Sequence, residues 1–353
     1  MKKNRLFAAV TAAALALSLA ACGSAPASTA STGASASTGA SASGSADGES
    51  FKVGIVQYTS HSSLDEICTA IQSELTALSE ASVAAGGPAI EFEVQNGQAD
   101  TATLNDICKL FVSEGVDLII PIATPAATAA AAAVQGTDIP LVYSAVTDPV
   151  GAQLADSMDA PGQNMTGTSD YIDTNKILDL ALAADPDLKT LGLIYNLGET
   201  NSVTTIENMK PVLEEKGITA VESTVTNAGE VQMAAQNLLA QGAEAIFVPI
   251  DNTVADGMAV LATTAIEAGV PVYTAADSLV RDGGLATTGV NYTKLGELTA
   301  QMAVDVLNGA DPAATPVQVL NDGITTVNTT TAAALGIDPE IFDLTGEGYI
   351  AVE

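Results

Sequence analysis

Acidic side chains stand directly after several predicted strands of this 353-residue chain. The four acids in these loops are Asp148, Glu199, Asp251 and Asp277. A carboxylate in a cleft can pair with an ammonium group, and the free N–H groups of helix N-termini can receive a carboxylate. A ligand that carries both charges needs both kinds of partner. The residues therefore favour a binding site for an amino acid.

The same residue types also have a purely structural use, because Ser, Thr, Asp and Asn cap helices whatever a protein does. Ser63-x-x-Glu66 has the spacing of a capping box, and Thr124-Pro125 is typical of a helix start. Tyrosines near loop ends either stack on a ligand or pack in the core. They are Tyr58, Tyr143, Tyr171 and Tyr195. For each residue taken alone, a structural role and ligand binding both stay open.

Residue patterns typical of enzymes are missing from the sequence. His61 is the one histidine, and the chain has no H-E-x-x-H, C-x-x-C, G-x-S-x-G or phosphate-binding glycine motif. We therefore expect a protein that is not an enzyme and needs no metal or cofactor, with His61 on the surface or lining a cleft. A hydrolase that uses two carboxylates is the minor alternative.

The composition excludes some classes of protein. Eleven Lys and Arg oppose 42 Asp and Glu, for a net charge of −31, so a basic face for nucleic acid cannot be built. The hydrophobic fraction of 47% is enough for a folded core. We expect a folded acidic protein of about two domains.

The N-terminus has the pattern of an export signal. In residues 1–21, Lys2, Lys3 and Arg5 precede an apolar stretch that is shorter than the ~20 residues of a membrane span. The small residues before Cys22 resemble a bacterial lipobox, in which that cysteine carries a lipid; the alternative is an ordinary cleavage site. Residues 22–50, rich in Ser, Ala, Thr and Gly, predict a flexible tether. We expect an exported protein anchored through Cys22 to the outer face of the bacterial cell membrane.

Two further cysteines lie on the apolar stripes of predicted helices. Cys68 accompanies Leu64 and Ile71, and Cys108 accompanies Leu104. Buried free thiols are the favoured interpretation. A disulfide stays open in an exported protein.

From residue 51 onward, β-branched runs alternate with helical patterns, which predicts βαβ units and parallel sheets flanked by helices. The order repeats about 130 residues later, where LGLIYN echoes VGIVQ and AIFVP echoes LIIP. The sequence therefore predicts two similar α/β lobes. The first comprises residues 51–165 and 291–323 and the second residues 166–290 and 324–353. Three connections would form a hinge, and the strand ends would face a shared cleft.

Stretches that cover most of residues 51–337 together resemble the substrate-binding lipoproteins of ABC transporters, of the tryptophan/tyrosine type. They include VGIVQYTSHSSLDEI (53–67), IPLVYSAVTDPVGA (139–152), NMTGTSD (164–170) and LGLIYNLGETNSV (191–203). The resemblance implies a type I periplasmic-binding-protein fold with two Rossmann-like lobes. It also implies a receptor that delivers an amino acid, aromatic or otherwise apolar, to a permease and an ATPase encoded elsewhere.

The resemblance also implies site residues. Those expected to contact the ligand's charged groups are Thr124, Ser144, Asn201, Ser202, Asp251 and Asn252. Those expected to line the rest of the site are Tyr58, Ser63, Leu64 and Asp277. In this chain the first loop has Ser62-Ser63 where the family pattern has an apolar residue and proline, so ligand identity is not fixed. A receptor for a sugar, nucleoside or signalling molecule, or a surface adhesin, are the alternatives.

Overall fold

The computed structural model describes residues 50–320, 323 and 325–353. The predicted signal peptide, Cys22 and all of the tether except Ser50 lie outside the described residues. Among the described helices, none combines the length and the apolar character that crossing a membrane requires.

The first stretch of chain alternates strands and helices as its β-branched runs predict. Its elements are β1 (Phe51–Gln57), α1 (Ser62–Ala84), β2 (Ile90–Asn96), α2 (Thr101–Glu114), β3 (Leu118–Ile122), α3 (Thr124–Ala133), β4 (Leu141–Tyr143) and β5 (Met165–Ser169). Every residue of β3 is buried, as expected for a strand with helices on both faces of the sheet.

The second stretch repeats this alternation. Its elements are α4 (Thr174–Ala184), β6 (Thr190–Asn196), α5 (Thr200–Lys216), β7 (Thr219–Val225), α6 (Val231–Ala240), β8 (Ala245–Val248), α7 (Asn252–Asp256), α8 (Met258–Glu267), β9 (Val272–Thr274), α9 (Asp277–Arg281) and β10 (Ala286–Thr288). The sequence repeat between the two stretches therefore corresponds to a repeat of secondary structure.

The last stretch supplies elements to both lobes. They are α10 (Tyr292–Leu307), β11 (Gln318–Val319), β12 (Thr325–Asn328), α11 (Thr329–Leu335) and β13 (Ile350–Val352). Helix α10 packs on α1, and β11 pairs with β5, so both belong to the first lobe.

Two sheets form the centres of the two lobes. The first has the strand order β11-β5-β4-β3-β1-β2 and the second β13-β12-β10-β9-β8-β6-β7. Every pair is parallel except β10 with β12, which is antiparallel because the chain re-enters the second lobe from the opposite end. The predicted fold of two parallel-sheet α/β lobes is confirmed, with this one strand reversed.

The first crossing between the lobes lies later than the sequence predicts. The predicted boundary at residues 165/166 falls inside β5, because Met165, Thr166 and Gly167 pair with β4. Backbone pairing with β4 keeps the segment in the first sheet up to Ser169. The second crossing runs from β10 to α10, and of the third only residue 323 is described between Leu320 and Thr325.

The two cysteines of the folded part are free and buried. Burial raises the pKa of the Cys108 thiol to about 11 and also raises that of Cys68. Both thiols are therefore neutral core side chains, as the favoured interpretation predicts.

Candidate ligand-binding cleft

A small cavity lies between the carboxyl ends of the two sheets. The first lobe contributes the loops after β1, β3, β4 and β5 and the start of α10, and the second lobe contributes the loops after β6, β8 and β9. Parallel strands deliver these loops to one edge of each sheet, so the fold brings them together.

Much of the cavity wall is apolar. Leu64, Ile250 and Leu279 line it together with four alanines, and no lysine or arginine is among the described lining residues. Ala123 and Ala145, two of these alanines, have positive φ angles of 79° and 55°. Such strain in a residue with a Cβ is tolerated where the surrounding structure imposes it, and it turns the chain into the cleft at both loops.

Asp170 is the most deeply buried acid of the cavity, with 1% of its surface exposed. Its carboxylate accepts hydrogen bonds from the Thr147 hydroxyl at 2.9 Å and the Tyr292 hydroxyl at 3.2 Å. Burial raises its pKa to about 6. These described partners are neutral, so the carboxylate is suited to a cationic group that enters the cavity.

Asp251 and Glu199 form a pair of buried acids in the second lobe, and their oxygens accept hydrogen bonds from residues of that lobe. Asp251 accepts from the backbone N–H groups of Asn196 and Val254. Glu199 accepts from the N–H groups of Asn252 and Thr253, at 3.0 Å each. Burial and the neighbouring Glu199 charge raise the pKa of Asp251 to about 7. The two acids together occupy the N-terminus of α7.

The N-terminus of α3 has no such carboxylate. Its N-cap residue is Ala123, which makes no side-chain capping bond, so Thr124 is the first helical residue and not the cap that the sequence suggests. The Thr124 hydroxyl is buried, and the described part of the chain gives it no hydrogen-bond partner. The first turn of a helix also leaves N–H groups free. This loop therefore offers donors to an anion in the cavity.

Two further lining side chains have buried polar atoms without partners among the described residues. The Asn201 amide donates to the Ile250 carbonyl at 2.7 Å, and its Oδ1 is unpaired. His61 Nε2 lies 3.1 Å from Asn252 Oδ1, across the cleft, and its Nδ1 is unpaired. Burial lowers the pKa of His61. Buried polar atoms without partners mark places where a ligand can bond.

Contacts between α1 and α9 hold the lobes together beside the cavity. Ser63 Oγ lies 2.5 Å from Ser278 Oγ, and Ser62 donates to Asp282. The predicted capping box is wrong, because α1 begins at Ser62 and Glu66 is used elsewhere. Glu66 pairs with Arg281 of the second lobe at 2.5 Å and accepts from Thr293. The structure is thus a closed arrangement of the two lobes.

Six of the ten predicted site residues line the cavity. They are Ser63, Leu64, Thr124, Asn201, Asp251 and Asn252. Asp251 and Asn252 are committed to α7 as described above, whereas Thr124 and Asn201 have unpaired atoms. The roles assigned to all six stay predictions.

The other four lie around the cavity and not in its wall. Ser144 is fully buried and bonds the Thr299 hydroxyl at 2.9 Å. Ser202 donates to the Ile250 carbonyl, and Asp277 pairs with Arg281. Tyr58 lies in a separate depression at the cleft edge, where burial raises its pKa to about 12.

Sequence reasoning missed Asp170, Thr147 and Tyr292 as candidate site residues. Asp170 ends the motif NMTGTSD, directly after β5, so its position at a strand end was the available signal. The predicted lobe boundary at residues 165/166 falls inside this motif, which placed the acid at a crossing between the lobes. Asp148, expected near the ligand, bonds the Gly151 N–H and lines a different depression. Of the four tyrosines near loop ends, none lines the cavity.

Comparison with known proteins agrees with this architecture. The chain matches the model of the family described as ABC transporter substrate binding protein over residues 52–340. It is 34% identical over 283 residues to a tyrosine-binding protein of Clostridioides difficile strain R20291, covering 80% of each chain.

Solved structures give the same picture. The crystal structure of an ABC domain from Streptococcus pneumoniae in complex with L-Trp is 33% identical, with a TM-score of 0.78, covering 86% of this chain and 100% of that one. A ligand-free, open substrate-binding protein with adhesive properties from Clostridium difficile is 35% identical, with a TM-score of 0.64, covering 86% and 99%.

Proposed function

Because the chain belongs to the family of ABC transporter substrate-binding proteins, we propose that it binds a free α-amino acid with an aromatic or other apolar side chain. The ligand occupies the cavity between the lobes. A permease and its ATPase, encoded elsewhere, then receive it from the closed protein.

The observation that carries the proposal is the buried carboxylate of Asp170. Burial of this carboxylate, which is 1% exposed and bonded by two hydroxyls, disfavours its charged form. The positive charge of an incoming ammonium group would offset that cost. Thr147 and Tyr292 fix the carboxylate in place. The α-ammonium group of an amino acid is the matching cation.

The α3 N-terminus suits the other charge of the ligand. Thr124 offers its hydroxyl there, and the first helical turn offers N–H groups to the α-carboxylate. Leu64, Ile250 and Leu279 leave an apolar wall for the side chain. Relatives that bind tyrosine and L-Trp support the same ligand class.

Closure of the lobes is the proposed mechanism of recognition. The ligand contacts loops of both lobes, so it binds the closed form with more contacts than the open form and shifts the population towards it. The permease recognises the closed form of the protein.

A titration against the twenty amino acids, with common sugars and nucleosides as a comparison panel, tests the ligand class. A ligand at a hundred times its Kd adds ~2.7 kcal/mol of stability, which raises the melting temperature measurably. Isothermal titration calorimetry on the ligands that stabilise gives the affinities. Stabilisation by sugars or nucleosides and by no amino acid would overturn the proposal.

We further propose that binding occurs without catalysis. His61, the one histidine of the chain, is directed to Asn252 through Nε2, and no serine hydroxyl of the described residues pairs with it. The ligand should therefore be recovered chemically unchanged after long incubation, as mass spectrometry can show. A hydrolysed product would contradict this.

Attachment to the membrane through Cys22 is the remaining part of the proposal. The lipobox-like residues before Cys22 and the tether support it. Metabolic labelling with a fatty-acid analogue in a bacterial host should label the wild-type protein, and Cys22→Ser should abolish the label. Equal labelling of both proteins would contradict a lipid on Cys22.

A further inference from the structure

His61 is the starting point of a chain of hydrogen bonds that crosses the cleft. The residue follows β1 in the first lobe, and Asn252 begins α7 in the second. His61 Nε2 lies 3.1 Å from Asn252 Oδ1. His61 Nδ1 is buried at the cavity and has no partner among the described residues.

Glu199 fixes which end of the Asn252 amide faces the histidine. The Glu199 carboxylate accepts from four donors of Asn252 and Thr253, two of them backbone N–H groups. One of these donors is Asn252 Nδ2, at 2.6 Å. The amide nitrogen therefore faces Glu199, and the amide oxygen faces His61.

The oxygen of an amide only accepts, so His61 Nε2 must carry the proton. Burial lowers the pKa of the ring, which keeps it neutral at pH 7. A neutral imidazole protonated at Nε2 has a lone pair at Nδ1. The cavity thus contains an oriented hydrogen-bond acceptor that no protein group uses among the described residues.

This acceptor and the carboxylate of Asp170 follow different strands of the first sheet. In the first sheet, β5 and β1 are three positions apart, with β4 and β3 between them. At the usual ~4.8 Å between neighbouring strands, their ends are roughly 14 Å apart. With its α-ammonium group at Asp170, a ligand would therefore present its side chain, and not the ammonium group, to the loop that carries His61.

We propose that His61 Nδ1 accepts a hydrogen bond from the ligand's side chain and makes the site select amino acids with a side-chain N–H or O–H on an aromatic ring. This inference rests on the proposed function and names a specificity-determining residue within it. A phenylalanine in the cavity would leave Nδ1 buried and unpaired. Sites built to bond a donor reject analogues that lack it.

Calorimetry with matched ligands tests the selection. Tyrosine and tryptophan carry the donor, whereas phenylalanine, O-methyltyrosine and 1-methyltryptophan do not. Of tyrosine and tryptophan, the ligand that the wild-type protein binds more tightly should bind about 10- to 100-fold more tightly than phenylalanine. The same difference should separate that ligand from its methylated analogue, because both comparisons leave a buried acceptor unpaired.

Two variants at position 61 separate bonding from packing. His61→Phe should bring the ratio of phenylalanine affinity to donor-ligand affinity close to one, and His61→Gln, which keeps an acceptor, should restore part of the preference. Ser60→Ala, at an exposed neighbouring residue, should keep the wild-type ratio.

The single histidine also permits a direct observation. In untagged protein labelled with nitrogen-15, the imidazole signals should show the tautomer protonated at Nε2, and the Nδ1 signal should shift when tyrosine or tryptophan binds. A ring protonated at Nδ1, or equal affinity for phenylalanine in the wild-type protein, would overturn the inference and leave the proposed function standing. Binding of no amino acid would overturn both.

Discussion

At the scale of single residues, the cavity is defined by the bonds that its polar groups already have. Asp251 and Glu199 are as buried as Asp170, yet their oxygens are used by backbone N–H groups of their own lobe. Among the described residues, the groups of other residues that bond Asp170 are the hydroxyls of Thr147 and Tyr292, so this carboxylate is not committed to a helix N-terminus. For that reason we assign the ammonium group to Asp170 and a structural role to the acidic pair.

Asp170→Asn should weaken amino-acid binding by at least about 2 kcal/mol, or roughly 30-fold, because it removes one member of a buried charge pair. Calorimetry against the best ligand of the panel measures this. Asp148→Asn is the matched control, because Asp148 lies in a different depression. The Asp148→Asn protein should bind the same ligand with the affinity of the wild type. An Asp170→Asn protein with wild-type affinity would show that the ammonium group binds elsewhere.

At the scale of elements, the helix N-termini around the cleft differ in whether carboxylates of the protein already cap their free N–H groups. Two carboxylates cap the first turn of α7, which removes its capacity for an anion. The N-terminus of α3 has a strained alanine at its cap and an unpaired threonine hydroxyl. Only α3 of these two can receive the α-carboxylate of a ligand.

The packing of α10 on α1 gives the element-scale prediction. A Cβ added at Gly296 would lie 2.7 Å from both the Ala70 Cβ and the Ile67 carbonyl oxygen. Because one of these atoms belongs to the backbone, Gly296→Ala should separate the helices and lower the free energy of unfolding by about 1–3 kcal/mol. Urea denaturation measures the change.

Glu297→Ala is the control for that substitution, because Glu297 is exposed on the same helix. Its free energy of unfolding should stay within about 0.5 kcal/mol of the wild type. A Gly296→Ala protein as stable as the control would mean that α1 and α10 are not closely packed.

At the scale of the whole molecule, the closed arrangement depends on side chains outside the cavity. Glu66 of the first lobe and Arg281 of the second form an ion pair at 2.5 Å, with side-chain exposures of 24% and 40%. Partial exposure limits the contribution of such a pair to ~1 kcal/mol or less. That is enough to change the population of a closed form in a two-state equilibrium by a few-fold.

Glu66→Gln should therefore shift the ligand-free protein towards an open form and weaken ligand binding a few-fold. Small-angle X-ray scattering would show a larger radius of gyration before ligand is added and the wild-type value at saturation. Glu207→Gln, which removes an exposed ion pair within the second lobe, is the control and should leave both measurements unchanged. An unchanged radius for Glu66→Gln would contradict a role in closure.

The buried acids also link folding stability to pH. Asp170 has a folded pKa of about 6, above the ~3.9 of an unfolded aspartate, so folding takes up a proton between these values. Its contribution to stability is fully present below pH ~3.9 and is lost as the pH rises through about 6. Asp251 acts in the same direction, and His61, with its lowered pKa, acts in the opposite one.

A difference between variants isolates Asp170 from these other groups. Between pH 7.5 and 5.5, the free energy of unfolding of the ligand-free wild type should gain of the order of 1 kcal/mol relative to Asp170→Asn. Urea denaturation at both pH values measures this, with Asp148→Asn expected to follow the wild type. Parallel pH profiles for wild type and Asp170→Asn would show that the carboxylate is not desolvated.

Local patterns predicted the elements well because each depends on residues close in sequence. Helix α2 begins after Asp100, whose carboxylate accepts from the Thr103 N–H three residues further along. Strand β5 was missed because MTGTS has no apolar run, and its pairing with β4 and β11 holds it in the sheet. The capping box at Ser63 failed because Ser63 and Glu66 bond residues more than 200 positions away.

The sequence by itself determined the alternation of strands and helices, the repeat of two lobes and the set of loops that face the cleft, since strand ends are fixed by hydrophobic pattern and parallel pairing. It could not determine which polar groups in those loops remain free, because that depends on partners supplied by distant segments. Glu199 satisfies α7, Thr299 satisfies Ser144, and Asp170 is left among hydroxyls only after the lobes fold. The tertiary structure therefore decided which of several equivalent acids can bind a ligand.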